Sequence, residues 1–571
     1  MKRLFVFLKD YKKECILAPL FKMLEASFEL FVPLVIAFLI DKGIRGGDKR
    51  VIVEAFALLV ALGLIGLTAS VTAQYFAAKA AVGFATKLRH SLFEKLLGLG
   101  FPEIDKLGTG AMITRMTSDV NQLQNGVNMF LRLFLRSPFV VFGAMIMAFT
   151  IDFDSAIIFL IVIIALSIVV FGLMALNIRQ VKNVQSKLEN VLVATRENLK
   201  GVRVIGAFCK ERDESDQFEE DNDRLTKALN KAGNISALMN PLTFVMINAA
   251  ILFLIYTDSF KVADGEMSQG MVVALYNYMS QILVELIKLA NLIVLLNKTI
   301  ACSNRVSSVF DIITSQTEGD ESVKENNIAV RFDHVSLIYP ESSEETLSDI
   351  SFEVKKGETV GIIGGTGSGK TSLVHLIPRF YDATFGTVYV DETDVKDYSY
   401  ENLRSKIGIV MQKAVLFKGS IRSNMSWAAK NASDEEFKEA IEDAQAKEVV
   451  EQKGGIDAMV EPGGKNFSGG QRQRLSIART LLGKPQILIL DDSSSALDYL
   501  TDLNLRKAIR NLDHKPTVFI VSQRSASIMY ADKIIVLDDG KMAGIGTHDE
   551  LLKSCDVYRE IYESQFSEEV G

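Results

Sequence analysis

The chain has 571 residues, of which 48% are hydrophobic, and a positive mean hydropathy of +0.20. It is too long for one domain and too apolar for a soluble protein of that size, which excludes both classes. The net charge of −7 is modest and no basic block stands out, so nucleic acid is not implied as a partner. We therefore expect a membrane half joined to a soluble half.

The first 13 residues alternate basic and apolar side chains, in the order M-K-R-L-F-V-F-L-K-D-Y-K-K. The stretch is too short to span a bilayer, and charges interrupt its apolar run. No small-residue cleavage site follows it, so it predicts an interfacial helix rather than a signal peptide.

Six stretches of about 20 mostly apolar residues follow, each long enough to cross a bilayer at a rise of about 1.5 Å per residue. They lie near residues 17 to 40, 53 to 76, 128 to 150, 155 to 176, 238 to 257 and 270 to 297. They predict an all-α transmembrane domain of six spanning helices over residues 1 to 313.

The second and fourth spans are followed by long polar connections. Residues 77 to 100 and 178 to 232 have helical periodicity with charged faces, which predicts that the spanning helices continue far into the cytosol. Each connection contains a break, at residues 101 to 111 and 199 to 208. Each break predicts either a short crosswise helix at the tip or a simple helical hairpin turn, and the sequence favours neither.

Basic residues precede the first span and are absent from the turn at 151 to 154, which places the amino terminus in the cytoplasm. Four basic residues between the first two spans oppose that assignment; they are Lys42, Arg45, Lys49 and Arg50. Six crossings leave the soluble half on the same side as the amino terminus, so the side on which the soluble half works decides the orientation.

Ionisable residues in or near the spans occur in pairs at helical spacing: Glu25 with Glu29, Arg132 with Arg136, and Glu285 with Lys288. Charges in a bilayer are expensive and usually face a cavity or a partner. One hypothesis is that the acidic residues Glu25, Glu29 and Glu285 face a cavity and favour cationic lipophilic solutes. The alternative is that the charged residues lie in cytosolic extensions or pair with each other.

The composition becomes polar over residues 314 to 327, which predicts a linker between two domains. Beyond it, strands alternate with helices over residues 328 to 571, as in an α/β nucleotide-binding domain. The four cysteines form no C-x-x-C pattern and are expected to be free thiols. They are Cys15, Cys209, Cys302 and Cys555.

The most informative stretch is residues 359 to 373, T-V-G-I-I-G-G-T-G-S-G-K-T-S-L, which predicts a strand, a phosphate loop and a helix. Its glycines let successive N–H groups converge on the phosphates of a nucleotide, at the positive end of the helix dipole. Lys370 adds a point charge, and the Thr371 hydroxyl can hold Mg²⁺. An ordinary glycine turn is the alternative. The predicted nucleotide-binding residues are Gly364, Gly365, Thr366, Gly367, Ser368, Gly369, Lys370, Thr371 and Ser372.

Two further features are typical of a nucleotide site. Tyr339, in a turn closed by Pro340, could stack on adenine, although an exposed turn tyrosine is the alternative. The buried strand I-L-I-L-D-D ends in Asp491, placed to hold Mg²⁺, and Asp492, placed to act as a base on the attacking water.

The segment F-S-G-G-Q-R-Q-R at residues 467 to 474 predicts a second anion-binding helix start. A single nucleotide does not obviously need two such sites. The residues of this second start that we predict to contact nucleotide are Ser468, Gly469, Gly470 and Gln471.

Together these motifs resemble the ATP-binding cassette exporters of the half-transporter kind, and the resemblance covers nearly the whole chain. It implies that residues 467 to 471 are the family signature, which closes on ATP held by a partner's phosphate loop. It also implies a glutamine loop at Gln412, able to sense the γ-phosphate and reach Mg²⁺. The loop S-A-L-D at residues 495 to 498 and coupling helices at residues 101 to 120 and 199 to 211 complete the resemblance.

The chain departs from that family pattern at two positions. Members that hydrolyse ATP well carry a glutamate where this chain has Asp492, and a histidine where it has Gln523. A base shortened by one methylene is withdrawn from the attacking water, and a misplacement of about 1 Å can cost on the order of 10²-fold in rate. Glutamine can donate a hydrogen bond to a phosphate but cannot carry the charge of an imidazole. The signature is nearly intact, with Phe467 in place of the usual leucine.

The sequence thus predicts one subunit of a heterodimeric exporter in the cell membrane, binding ATP and Mg²⁺, with catalytic residues Asp492, Gln523 and Gln412. It would move amphipathic or lipophilic solutes out of the cell, and its signature would serve the partner's site. The alternatives are a homodimeric exporter with two slow sites and a membrane ATPase that regulates a channel.

Overall fold

The computed structural model describes residues 2–319, 327–340 and 342–566. The chain forms two compact units. The first comprises Met1–Leu97 and Gly110–Ile312, and the second comprises Gly98–Thr109 and Ile313–Gly571. The second unit therefore includes a short segment from the amino-terminal half, residues that the sequence assigned to the transmembrane domain.

The first unit is helical. After a 3₁₀ helix at Lys2–Tyr11, its helices are α1 (Lys12–Phe38), α2 (Lys49–Leu97), α4 (Thr109–Thr114), α5 (Val120–Leu133), α6 (Arg136–Ile151), α7 (Phe153–Ala207), α8 (Glu211–Ala263) and α9 (Gln269–Phe310), with α3 (Phe101–Leu107) lying in the second unit. Two π-helical turns, Leu39–Ile44 and Arg115–Asp119, extend α1 and join α4 to α5. In the described part of the chain, six helical stretches are long and apolar enough to cross a membrane, so the six predicted spans are confirmed.

Small side chains let these helices approach closely. Ala18 of α1 packs with Ala77 and Ala80 of α2, and all three are buried. Helix association within a bilayer depends on such close packing, because lipid tails are as apolar as the side chains that they replace.

The two predicted tip helices have different outcomes. A separate short helix, α3, forms between Gly100 and Gly108, but the following residues up to 120 belong to the next long helical stretch. At the second tip, α7 runs unbroken to its end at Ala207 and α8 begins at Glu211, so the separate crosswise helix predicted over 199 to 211 is wrong. Gly201 stays helical, since one glycine costs only about 1 kcal/mol in so long a packed helix.

Among its described residues, the second unit contains three β-sheets. Its strands are β1 (Ile328–Leu337), β2 (Leu347–Lys355), β3 (Thr359–Gly364), β4 (Phe385–Val390), β5 (Thr393–Asp394), β6 (Ile407–Val410), β7 (Gly419–Ser420), β8 (Met459–Val460), β9 (Ile487–Asp491), β10 (Thr517–Val521), β11 (Lys533–Asp538) and β12 (Lys541–Gly546). Its further helices are α10 (Lys370–Leu376), α11 (Tyr400–Lys406), α12 (Ile421–Met425), α13 (Asp434–Asp443), α14 (Lys447–Gln452), α15 (Gly469–Leu482), α16 (Tyr499–Arg510), α17 (Ser525–Ile528), α18 (His548–Ser554) and α19 (Asp556–Phe566). A 3₁₀ turn at Pro462–Gly464 precedes α15.

The largest sheet has the strand order β12-β11-β3-β10-β9-β6. The strands β11, β3, β10, β9 and β6 run parallel, and only the edge strand β12 is antiparallel. Parallel strands share one carboxyl edge, where ligands bind in open α/β sheets. The segments that follow β3, β10, β9 and β6 therefore meet at that edge.

The predicted linker at residues 314 to 327 is described only in part. Residues 320–326 lie outside the described residues. Ahead of them, the buried Gln316 donates to the Arg379 carbonyl at 3.4 Å, and the Gly319 N–H donates to the Tyr398 carbonyl at 3.1 Å. This stretch thus packs with the second unit. The four cysteines are free, as predicted.

The charged residues of the spans pair with each other. Arg136 donates to Glu29 at 2.6 Å and to Glu285 at 2.5 Å, and Lys288 donates to Glu285 at 2.9 Å. In α1, the Lys22 ammonium donates to Glu25 at 2.5 Å. These pairs neutralise the acidic side chains, so the alternative of mutual pairing holds and the hypothesis of a cation-selecting acidic cavity loses its basis.

Candidate nucleotide site

The phosphate loop lies between β3 and α10, at the carboxyl edge of the large sheet. Gly369 has a φ of 92°, in the left-handed region, and a Cβ there would lie 2.8 Å from the Thr346 carbonyl oxygen. A Cβ on Gly365 or Gly367 would meet no atom within 4 Å, so both face open space. The loop therefore presents backbone to an open cradle that a phosphate group can enter.

Lys370 is buried beneath this loop. Its ammonium donates to the carbonyl oxygens of Gly364 at 2.9 Å and Gly365 at 2.5 Å. Burial lowers the pKa of Lys370, while the carboxylates of Asp491 and Asp492 act in the opposite direction. A phosphate at the loop would stabilise the charged ammonium in the same way as these carboxylates.

Thr371 and Asp491 form the candidate metal position. The Thr371 hydroxyl donates to the Asp491 carboxylate at 2.9 Å, and Asp491 is almost completely buried at the end of β9. Burial raises the pKa of Asp491, and the adjacent Asp492 carboxylate adds to that effect. A divalent cation would offset this cost, and two hard oxygen donors in contact suit Mg²⁺, which completes its shell with phosphate and water. Thr371 and Asp491 therefore fit the predicted Mg²⁺.

Asp492, Gln412 and Gln523 share one cavity with the phosphate loop. The cavity has a volume of about 370 Å³ and is lined by Thr346, Thr366, Gly367, Gly369, Lys370, Thr371, Ser372, Gln412, Asp492, Val521 and Gln523. Within it, the Gln412 amide donates to the Asp492 carboxylate at 3.1 Å. Asp492 adopts a φ of 44°, a left-handed conformation that short Asp side chains tolerate better than most. The sheet order thus brings three residues together that are up to 111 positions apart in the chain.

Tyr339 lies beside this cavity, half-buried, and does not line it. Its hydroxyl donates to Ser372 at 2.9 Å, and its ring meets the Tyr381 ring edge-on at 4.9 Å between centroids. Burial raises the pKa of Tyr339. Stacking of this ring on adenine stays a prediction.

The signature segment lies outside the cavity that the phosphate loop lines. Ser468 caps α15 by accepting from the Gln471 N–H at 3.3 Å, and the Gln471 side chain accepts from the Ser468 N–H at 2.9 Å. Gly470 approaches the loop at residues 495 to 498, since a Cβ there would lie 2.7 Å from the Ala496 carbonyl oxygen. The Gly469 position is open. The described residues therefore contain two separate helix starts, at Lys370 and at Gly469, and binding of nucleotide at the second stays a prediction.

Sequence reasoning missed one histidine at this site. His375 is on α10, and its Nε2 lies 3.7 Å from an Asp491 carboxylate oxygen and has no hydrogen-bond partner among the described residues. Burial lowers the pKa of His375, so the ring is neutral near neutral pH. The spacing of five residues after Lys370 offered a signal, because it places His375 about 1.4 helical turns after the end of the phosphate loop.

Comparisons with known proteins agree with this geometry. Residues 15–286 match the family model described as the ABC transporter transmembrane region, and residues 347–495 match the family model described as ABC transporter. The ABC transporter ATP-binding protein YfiB of Bacillus subtilis (strain 168) is 34% identical over 100% of this chain and 99% of its own length.

Two further proteins are similar along most of the chain. An ATP-dependent lipid A-core flippase of Syntrophus aciditrophicus (strain SB) is 30% identical over 84% of this chain and 80% of its own length. The solved structure of a bacterial Atm1-family ABC exporter with ATP bound superposes with a TM-score of 0.81 over 97% of this chain and 99% of that one. At 23% identity, that likeness shows the fold: six membrane helices fused to an α/β nucleotide-binding domain.

Proposed function

The chain belongs to the ABC transporter family, and on that premise we propose that it is one subunit of a heterodimeric exporter that moves amphipathic or lipophilic solutes out of the cell. As a member of that family it is an integral membrane protein with a cytoplasmic ATPase domain, which couples ATP hydrolysis to transport. The heterodimer, the unequal sites and the solute are the proposal.

The observation that carries the proposal is the pair of cavity residues Asp492 and Gln523. The Asp492 carboxylate is held by the Gln412 amide at 3.1 Å, and its side chain is one methylene shorter than glutamate. Gln523 offers the γ-phosphate a neutral hydrogen bond and no charge. Lys370, Thr371 and Asp491 supply the groups through which this site would hold the phosphates and Mg²⁺ of ATP. Binding at this site should therefore outlast hydrolysis, because it lacks a well-placed base and a cationic phosphate ligand.

The signature supports the second half of the proposal. The start of α15 is formed by Ser468, Gly469 and Gly470, and these residues do not line the phosphate-loop cavity of their own chain. They are available to close on ATP held by the phosphate loop of a partner subunit, which would supply the glutamate and histidine missing here. Turnover would then take place mainly at that opposite site.

Two observations support the proposed nature of the solute. One relative of this chain is named an ATP-dependent lipid A-core flippase. In the first unit, an open and almost entirely apolar pocket of about 520 Å³ lies between α8 and α9. Its lining residues are Asn240, Pro241, Thr243, Phe244, Leu283 and Ile287. Such a lining suits the apolar part of an amphipathic molecule.

Two measurements test the proposal. Purification of the tagged chain from its native membrane should recover a second, different half-transporter in equal amount. Steady-state ATPase activity of that assembly should then fall more in Ser468→Ala, which changes the working site, than in Asp492→Ala, which removes a base that is already misplaced.

Ser433→Ala is the matched control for Ser468→Ala. Ser433 caps α13 of the same domain with an equivalent capping box, and loss of such a cap costs about 1 kcal/mol of stability. Its variant should keep full ATPase activity. If Asp492→Ala abolished turnover while Ser468→Ala was mild, this chain would be the catalytic one. Recovery of a single chain species with activity would indicate the homodimeric alternative.

A further inference from the structure

We propose that Gln565 is a positioning residue that holds the loop after β10 so that the Gln523 side chain faces the γ-phosphate of bound ATP. The inference rests on the proposed role of Gln523 at the phosphate cavity. Gln565 lies near the end of α19, far in sequence from the phosphate loop and the strand-end carboxylates.

Three hydrogen bonds join Gln565 to this loop. Its amide nitrogen donates to the Gln523 carbonyl at 2.7 Å. Its amide oxygen accepts from the Ser525 N–H at 2.8 Å and from the Ser525 hydroxyl at 2.8 Å. The Gln565 carboxamide therefore binds the residue before Arg524 through its donor and the residue after Arg524 through its acceptor. These bonds fix the backbone on both sides of Arg524.

The loop needs this partner. Ser525 is completely buried, and it begins the short helix α17, whose N-cap residue Arg524 makes no side-chain capping bond. Buried N–H groups at helix starts cost free energy when they have no acceptor. The Gln565 oxygen supplies the acceptor that a local capping side chain supplies in other helices.

The helix that carries Gln565 is firmly held. Tyr558 of α19 is fully buried in the domain core, and its hydroxyl lies 2.7 Å from His548 Nδ1. Tyr558 and Gln565 are seven residues apart, which places them on one face of the helix. The core thus fixes the position of Gln565, and Gln565 in turn fixes the position of the loop.

The test compares the affinities for ATP and ADP at this chain's site, because only ATP has the γ-phosphate that Gln523 would contact. The full-length transporter is purified with both subunits, and dissociation constants are measured with Mg-ATP and Mg-ADP. In Gln565→Ala, ATP binding should weaken about threefold to tenfold, the size of one hydrogen bond, while ADP binding stays unchanged. Since the comparison is of binding, it can be made whether or not this site is the slow one.

Three further variants sharpen the test. Ser564→Ala is the control, since the exposed Ser564 hydroxyl donates only to the Ile561 carbonyl of its own helix, and it should leave both affinities unchanged. Gln565→Glu keeps the acceptor for Ser525 but loses the donor to the Gln523 carbonyl, so it should also lose ATP affinity. Gln565→Ala in a Gln523→Ala background should cause no further loss of ATP affinity, because the effects of two substitutions that act through the same contact are not additive.

Four results would overturn the proposal. Equal weakening of ATP and ADP would mean that Gln565 supports the domain as a whole. Additive losses in the double variant would mean that it acts independently of Gln523. If Gln565→Ala kept the wild-type affinities for ATP and ADP while Gln523→Ala still lost ATP affinity, Gln565 would have no positioning role. If Gln523→Ala by itself left the ratio of ATP affinity to ADP affinity unchanged, the proposed contact between Gln523 and the γ-phosphate would be wrong.

Discussion

The Phe101 ring of α3 stacks on the Phe380 ring, with centroids 4.2 Å apart and planes inclined by 22°. Phe380 in turn meets the His375 ring edge-on at 5.3 Å, and His375 Nε2 lies 3.7 Å from the Asp491 carboxylate. A continuous series of side-chain contacts therefore runs from α3 to the candidate metal ligand.

A second series of contacts begins on the same short helix. The Tyr381 hydroxyl donates to the Asp105 carboxylate at 2.5 Å, and the Tyr381 ring meets Tyr339, whose hydroxyl donates to Ser372 of α10. Burial raises the pKa of Tyr381, so its hydroxyl stays protonated and remains a donor. Both series end on residues next to the phosphate loop.

Phe101→Ala should reduce transport about twofold to tenfold while leaving ATP affinity unchanged. An aromatic pair of this kind contributes about 0.5–1.5 kcal/mol beyond its area, and the substitution removes the ring contacts of Phe101 with Phe380 and Tyr381. The measurement is ATP-dependent solute uptake in vesicles together with nucleotide binding. Lys106→Ala is the control, because Lys106 is exposed on the same helix. An equal loss of nucleotide affinity would show that Phe101 merely stabilises the domain.

Gln412→Ala should leave ATP binding nearly intact and reduce the solute moved per ATP hydrolysed. Gln412 follows β6 and contacts Asp492, so it can report the state of the phosphate cavity to its own loop. The check is transport and hydrolysis measured on one preparation, with the exposed neighbour Lys413→Ala as control. If both rates fell in strict proportion, Gln412 would be a catalytic residue only.

Asp492→Glu combined with Gln523→His should raise hydrolysis at this chain's site by about 10- to 100-fold. The longer carboxylate returns the base to the attacking water, and the imidazole restores a phosphate ligand that can be cationic. Single-turnover hydrolysis with the partner's phosphate-loop lysine replaced isolates this site. Asp492→Asn should lower the same rate, and an unchanged rate in the double variant would show that these two residues do not limit hydrolysis.

Arg136→Ala should destabilise the first unit by about 3–5 kcal/mol, because it leaves the almost fully buried Glu285 with only one of its two cationic partners. The thermal unfolding midpoint in detergent measures this loss. Glu54→Gln is the control, since Glu54 pairs with Arg50 in an exposed position where ion pairs contribute about 0–1 kcal/mol. A stable Arg136→Ala protein with altered stimulation by cationic solutes would revive the acidic-cavity hypothesis.

Local patterns in the sequence determined the order of the elements. Six apolar stretches predicted six spanning helices, and the spacing of glycines before Lys370 predicted the strand, the phosphate loop and the helix. These features depend on neighbours within about 20 residues, because hydrophobic periodicity and backbone turns are short-range properties. The strand-end carboxylates Asp491 and Asp492 were found for the same reason.

Contacts between distant residues were decided by the tertiary structure. The order β3-β10-β9-β6 is not the order of the chain, so no local pattern could place Gln412 against Asp492. The sequence offered two equal possibilities at each helical tip, and packing selected a separate helix at α3 but a simple turn after α7. Whether the charged residues of the spans faced a cavity or each other depended on which helices lie side by side, and Arg136 could be paired with Glu285 only once α6 and α9 were in contact. Burial of a charge requires such a partner, and only the folded chain supplies it.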